Sequence, residues 1–414
     1  MSTLRETNVV PITVTVNSPK ASSQTEERSP YTYTLVTEDN HQAAIEAIST
    51  AEYIGLDVEC DVVGEKPNGA RDKLVGIGIA LPDGECYYYP TGQPLSDISL
   101  FGKLRNKPYY AHNAKYDLAV CKRYCIGLGS LAGDGMLAAY LMGEPERGLK
   151  PLVLELFGIT MLTYDQVTGG KNISSIDPER VAEYCCADAY YGMLAARKLE
   201  DDLTESADDR GLKIYKEMDL PLVPVLVDME LAGIGLDVQR AIDRLIETMT
   251  ERDQLGVAID YLAKETGFSQ PDRTAVCKGC RNGKVKRGSC ATCKGQGKYE
   301  FHQPLNPGST QQVVAWLHGI LDLPIQGLTD GGEPSMGKLQ MLRLRGMHPG
   351  ASLIFDWNRL DKEKGFLLSW LDQVSPEGRL HTSFSNAFVQ GGRLSSREPN
   401  MQQVKLAWRE VFIA

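Results

Sequence analysis

Between about Tyr31 and Leu199 the chain alternates short β-rich runs with helical ones, and that alternation restricts this half to a mixed α/β architecture. Tyr53–Glu59, Lys73–Leu81 and Cys86–Tyr89 read as strands, the last two joined by a turn at Pro82-Asp83-Gly84. A fourth short strand, Tyr109–His112, runs into a helix beginning near Ala114, and helical pattern dominates from there.

The second half reads differently. Leu199 to Tyr215 is acidic and polar, as at a domain boundary. Ile242, Leu245, Ile246 and Met249 then recur at helical spacing within Gln239–Glu265. A Gly-, Lys- and Cys-rich insert follows from about Gln270 to Gln303, after which helical pattern returns at Thr310–Leu321 and Ala351–Val374. A chain of 414 residues is long enough for two or three cores. The expected division is a loose tail over 1–30, an α/β domain over 31–204, and a mainly helical region over 205–414 that carries the insert at 272–301. No apolar run approaches membrane-spanning length, and the Ser-, Thr-, Pro- and Glu-rich start lacks the pattern of a secretory signal. Ten cysteines are too few for a disulfide scaffold in a chain this long, which points to a reducing, intracellular setting.

Asp57 and Glu59 lie two apart on an expected strand, so both carboxylates point to one face and can converge on one cation. Asp117 falls in the first turns of the next helix and Asp188 within a later one. A lone Asp-x-Glu is ordinarily a solvated surface charge. Four acids gathered in one place would repel one another unless divalent ions held them, and hard oxygen ligands suit Mg²⁺ or Mn²⁺. Hydrolysis of a phosphodiester needs an activated water and a stabilised leaving oxyanion, which a pair of such ions supplies. The net charge of -10 does not exclude a nucleic-acid partner, because local basic patches can grip DNA on an acidic protein.

His112-Asn113-Ala114-Lys115-Tyr116-Asp117 and Tyr184-Cys185-Cys186-Ala187-Asp188 follow Asp57-Val58-Glu59 in order. Together the three segments resemble the exonuclease motifs of the DEDD superfamily, and a tyrosine four residues before the last Asp marks its DEDDy branch. The resemblance implies an RNase H-like 3′-5′ exonuclease domain. In it Asp57, Glu59 and Asp188 bind a metal pair, Asp117 binds the second ion directly or through water, and Tyr184 orients the attacking water. Positions 184 and 188 share a helix face. Asn113 is expected to help place the substrate. Asp134 either matches a further acidic position of that family or caps a helix. His112 reads as a hydrogen-bonded structural residue, Cys185 and Cys186 as packing residues, and Trp316, Trp357 and Trp370 as core.

Later segments extend the likeness. Tyr215–Leu226 with Met229–Ile234, Leu305–Ser309, Glu377–Phe384 and above all Gly392–Gln403 resemble the opening, the thumb and the stretch before the first palm motif of family A (DNA polymerase I-type) DNA polymerases. There an arginine and hydroxyls touch the primer-template backbone, and Arg393, Ser395 and Ser396 are the matching positions. The family continues into palm and fingers motifs that these residues do not include. These residues alone are therefore not expected to polymerise: either they work with a second polypeptide carrying palm and fingers, as one half of a split, phage-like enzyme, or they are the N-terminal piece of a longer one, in the cytoplasm of a bacterial or phage-infected cell. A stand-alone exonuclease on DNA or RNA ends and a non-catalytic DNA clamp subunit are the alternatives.

Cys277-x-x-Cys280 and Cys290-x-x-Cys293, nine residues apart, form two knuckles suited to tetrahedral Zn²⁺, a zinc-ribbon insert in the helical region. Lys278, Arg281, Lys284, Lys286, Arg287, Lys294 and Lys298 surround them with no acidic residue, which suits contact with DNA phosphates. Docking of a processivity factor is the rival reading of the same insert.

Overall fold

The computed structural model describes residues 30–64, 66–92, 98–206, 210–270, 273–278, 280, 290–301, 303–389 and 391–413. Residues 1–29 of the expected tail and the basic Arg281, Lys284, Lys286 and Arg287 lie outside them. The first half is a six-stranded mixed sheet between helical layers. Its strands are β1 (Thr32–Leu35), β2 (Ile54–Asp61), β3 (Lys73–Ala80), β4 (Glu85–Pro90), β5 (Tyr109–Ala111) and β6 (Leu131–Asp134), in the order β1-β4-β3-β2-β5-β6. The β2–β3–β4 meander is antiparallel, while β1, β5 and β6 join parallel. The edge strands β1 and β6 went unread in the sequence; each is four residues long.

Alternation on β2 sorts its two faces. Leu56, Val58 and Cys60 join Ile77 and Ile79 in a core covered by α1 (His41–Thr50), α2 (Ile98–Leu104) and α3 (Ala114–Arg123). On the other face lie α4 (Gly135–Met142), α5 (Leu149–Phe157), α6 (Tyr164–Thr168) and the long α7 (Pro178–Glu205). Asp177 caps α7 by accepting from the Glu179 N–H, and Pro178 fills the position where its missing N–H costs nothing. The acidic stretch that begins at Leu199 is helical as far as Glu205. Leu199 and Leu203 are buried against Leu220 and Val223, and this apolar face outweighs the polar one.

The second half begins with α8 (Arg210–Ile214), a π turn over Tyr215–Asp219 and α9 (Leu220–Ala232), then β7 (Ile234–Leu236) and α10 (Val238–Glu265). The insert carries the antiparallel pair β8 (Arg273–Val276) and β9 (Lys298–Phe301). After it come α11 (Thr310–Val314), which continues as a π turn, α12 (Lys338–Arg345) and α13 (Pro349–Gln373), packed along α10. Trp316 and Trp357 sit in one core of this region and Trp370 in another, as the helical pattern implies. The short strands β10 (Arg379–Leu380), β11 (Ser383–Ser385), β12 (Ser395–Arg397) and β13 (Phe412–Ile413) close the chain, with β7 paired between β10 and β13.

A buried ion pair fastens the two halves. Lys115 of α3 meets Glu230 of α9 at 2.6 Å, and the same Glu230 oxygen accepts from the Phe384 N–H at 2.6 Å. Replacing Glu230 with alanine leaves a buried ammonium and a buried N–H without this partner. It is expected to cost about 3 kcal/mol, read as a lowered denaturant midpoint at unchanged slope. A loss below about 1 kcal/mol, the scale of an exposed pair, would show that the two halves are not fastened this way.

Candidate active site

Gly55, Asp57 and Glu59 share the β2 face that looks toward α7. The helix lies unusually near the strand backbone because two positions lack a side chain. A Cβ at Gly55 would stand 2.4 Å from the Ala189 carbonyl oxygen, and one at Gly78, the cross-strand partner of Asp57, 2.8 Å from the Cys185 sulfur. This approach sets Tyr184, Cys185 and Asp188 over the two strand acids. Asp117 reaches the same space from the first turn of α3, with the Val58 N–H donating to it.

Ligand atoms of Asp57, Glu59 and Cys185 lie within 4.8 Å of one another. Asp117 and Asp188 stand outside that tight group but close enough to act on it by charge. Burial, then the Asp188 charge, pushes the Asp57 carboxyl well above the ordinary range. Burial, then Asp57 and Asp188, does the same to Glu59, and burial, then Asp57, to Asp117. Asp188 is also raised by burial, against the lowering pull of Lys150 and of the Tyr184 hydroxyl that donates to it. The sequence therefore brings its four acids to one buried place, with Tyr184 beside the last.

These residues fit divalent ions. The donors are hard carboxylate oxygens, and one oxygen of Asp117 is buried with no hydrogen-bond partner in the protein. A buried carboxylate oxygen left unpaired is costly, and a cation is the group that would complete it.

Two residues of the site were not legible in the sequence. Lys150, in the first turn of α5, donates to both oxygens of Asp188, and its ammonium lies 4.6 Å from the Tyr184 ring centre. Nothing in the local pattern marks it, because its partner is 38 residues away. Cys185, read as packing, is buried but also donates its thiol to Asp57 at 3.4 Å.

Asp134 proves to be a cap. One oxygen accepts from the N–H groups of Met136 and Leu137 at the start of α4, and the two oxygens take those of Asn113 and Ala114 at the start of α3. It thereby ties together the starts of two helices. Asn113 itself adopts φ 68°, a left-handed conformation that Asn tolerates better than most residues, so its main role in the fold is to turn β5 into α3. Its side chain is half-buried on the side of Lys115 and Glu230. His112 bonds the Arg147 carbonyl through Nε2 at 2.8 Å, a structural histidine whose burial keeps it less basic than usual.

In the insert, the four sulfurs form a group within 4.8 Å, with Cys277 to Cys290 at 3.7 Å and Cys280 to Cys293 at 3.5 Å. Thiolates on a tetrahedral Zn²⁺ would stand about 3.8 Å apart, given Zn–S bonds of about 2.3 Å. The N–H groups of Cys293 and Thr292 pull the Cys290 thiol down to about 6, toward the thiolate form a metal requires. Gly295 and Gly297, at φ 88° and 74°, make the turn in which the Gly297 N–H donates to the Cys293 sulfur.

Arg393 is exposed and Ser395 half-buried. Ser396 is buried, and its hydroxyl accepts from the N–H groups of Met401 and Gln402, both at 3.1 Å, so it holds the turn that follows β12.

Fold and site together define a carboxylate-cluster nuclease domain of α/β type joined to a helical region with a cysteine-pinned insert. Residues 33–204 match the 3′-5′ exonuclease domain found with DNA polymerase A, and residues 288–414 match DNA polymerase family A. The chain is thus similar to family A DNA polymerases over two separate stretches. It is 28% identical over 389 residues to DNA polymerase I of Chloroflexus aurantiacus, covering 88% of this chain and 36% of the relative. With the Rhizobium leguminosarum DNA polymerase I it shares 28% identity over 396 residues, 91% of this chain and 34% of the relative. The POL domain of Pol1 from M. smegmatis, solved in complex with DNA primer-template and dNTP, shares the fold at a TM-score of 0.71 and 19% identity, covering 92% of this chain and 58% of that one. The chain spans about a third of the length of the curated relatives it matches. No helix among the described residues is long and apolar enough to cross a membrane.

Proposed function

We propose that this chain is a metal-dependent 3′-5′ exodeoxyribonuclease that proofreads within a family A DNA polymerase, in the cytoplasm where replication proceeds. The observation that carries this is the meeting of Asp57, Glu59, Asp117 and Asp188, drawn from three separate segments, in one buried space beside Tyr184. Two Mg²⁺ or Mn²⁺ ions bound there would supply a nucleophile at neutral pH and neutralise the leaving oxygen. Asp57, Glu59 and Asp188 hold those ions, with Asp117 completing the second. Tyr184, fixed by its hydrogen bond to Asp188, orients the attacking water. Asn113, Arg393 and Ser395 are read as contacts to the DNA, with Ser396 shaping the turn behind them. Phosphate contacts of this kind give grip without sequence choice.

The helical region is read as the polymerase thumb and the start of the palm. DNA synthesis needs two palm carboxylates holding their own metal pair.

Single-stranded oligonucleotides labelled at the 5′ end decide the substrate. DNA should shorten stepwise from its 3′ end only when Mg²⁺ or Mn²⁺ is present. RNA should be cut much more slowly. Equal rates on both would favour a stand-alone end-trimming enzyme, and no cleavage of either would favour a clamp subunit.

A further inference from the structure

Lys150 sits where a basic residue is locally unfavourable. It occupies the first turn of α5, whose positive dipole end repels an ammonium, and no acidic residue in that turn offsets it. Its placement is fixed from several sides. The Arg147 carbonyl, three residues earlier, accepts from His112, and the Arg147 guanidinium donates to the Ala387 carbonyl at 2.7 Å. Behind Lys150, Leu152 and Val153 are buried in separate cores. The ammonium therefore projects from an anchored helix start onto both oxygens of Asp188, within 4.6 Å of the Tyr184 ring centre. Asp188 is 8% exposed, so this is a largely desolvated contact with charge on both sides.

We infer that Lys150 is a resident counter-cation of the nuclease site, holding Asp188 and Tyr184 in place and competing with divalent ions for the Asp188 carboxylate. An ammonium bonded to both oxygens draws on their lone pairs and sets a positive charge beside any metal bonded there, so loading works against the Lys150 contact. The lysine sets the ion concentration at which the site fills. It is a positioning residue, acting through Asp188. The inference rests on the metal-site reading above and adds a determinant of metal affinity to it.

The test titrates Mn²⁺ alone into the full chain by calorimetry, comparing wild type with Lys150→Met, Lys150→Arg and, as the blank for this site, Asp57→Ala. Lys150→Met should bind Mn²⁺ about tenfold more tightly, since the ion no longer works against a charge-assisted hydrogen bond. It should also melt at a lower temperature than wild type in EDTA and gain more from added Mn²⁺. Lys150→Arg should bind close to wild type. A merely structural lysine would lower the melting temperature and leave affinity unchanged or weaker, and that result overturns the inference. If wild type and Asp57→Ala bind Mn²⁺ alike, the metal-site reading itself fails and the inference falls with it. Should Lys150→Met not fold in EDTA, Lys150→Gln carries the same comparison, and affinity no tighter than wild type would again overturn it.

Discussion

Replacing Asp57 with alanine should abolish digestion of single-stranded DNA from its 3′ end while leaving the chain folded and, without divalent ions, slightly more stable. The catalytic loss follows from the position of Asp57 at the centre of the site: it shares a tight group with Glu59, and burial, then the charge of Asp188, raises its carboxyl. A metal pair is worth several kcal/mol of transition-state charge stabilisation, so losing a ligand common to the cluster should lower the rate roughly 10³-fold or more. The stability gain has the opposite sign for the same reason. Glu59, Asp117 and Asp188 are 5%, 4% and 8% exposed, and Asp57 adds another carboxylate to that crowd. In EDTA these groups have Lys150 as their nearby cation, so removing one should raise the melting temperature by about 2–4 °C per kcal/mol of relieved repulsion. Abolished activity with a lowered melting temperature in EDTA would mean that Asp57 is chiefly structural. A normal rate of digestion by the purified variant would remove the nuclease reading altogether.

Which parts of this site could be read from sequence follows from how each residue is fixed. Strand alternation made it legible that Asp57 and Glu59 share a face, and helical spacing that Tyr184 and Asp188 do, while their place in one site was read from the resemblance of the three segments to exonuclease motifs. The long helix α13 was legible because its apolar spacing coincides with its buried face, whereas α10 forms where its spacing implied a helix but exposes Ile246 and Met249 of that spacing and buries Ala241, Thr248, Ile259 and Ala263. Lys150 and Cys185 owe their roles to how α5 and α7 lie over β2, a tertiary fact set by Gly55 and Gly78 and carried by no local pattern. The course of α7 past Leu199 rests on a related fact: Leu199 and Leu203 are held by partners on a later helix. Asp134 shows the limit from the other side. Its spacing from the catalytic acids admits two roles, and only the four N–H groups around it select the cap.

We propose that the four sulfurs of the insert hold Zn²⁺, and its removal is the other large expected effect. Among the described residues of this module the core consists of the four cysteine side chains, and the regular structure is a pair of four-residue strands, β8 and β9. An isolated two-stranded hairpin is marginal in water, so the sulfurs must be joined for the insert to hold its shape. All four are free cysteines, and none is joined to another as a disulfide. Structural Zn²⁺ in comparable small modules is worth on the order of 10–16 kcal/mol, far more than this hairpin supplies by its own packing. One zinc per chain is expected. Chelation, or Cys290→Ser with Cys293→Ser, should strip hydrogen-exchange protection from β8 and β9 while leaving protection of β2 and α7 intact. Protection that survives full removal of zinc would show that the insert folds without metal. Because the insert leaves and rejoins the chain between α10 and α11, the same chelation also tells what it serves. If its seven basic residues touch phosphates, DNA affinity should fall and the salt dependence should flatten, by about 0.9 in slope for each phosphate that is no longer neutralised. If affinity and slope stay constant, the insert is a dock for a protein partner, and the effect of unfolding it should show only when that partner is present.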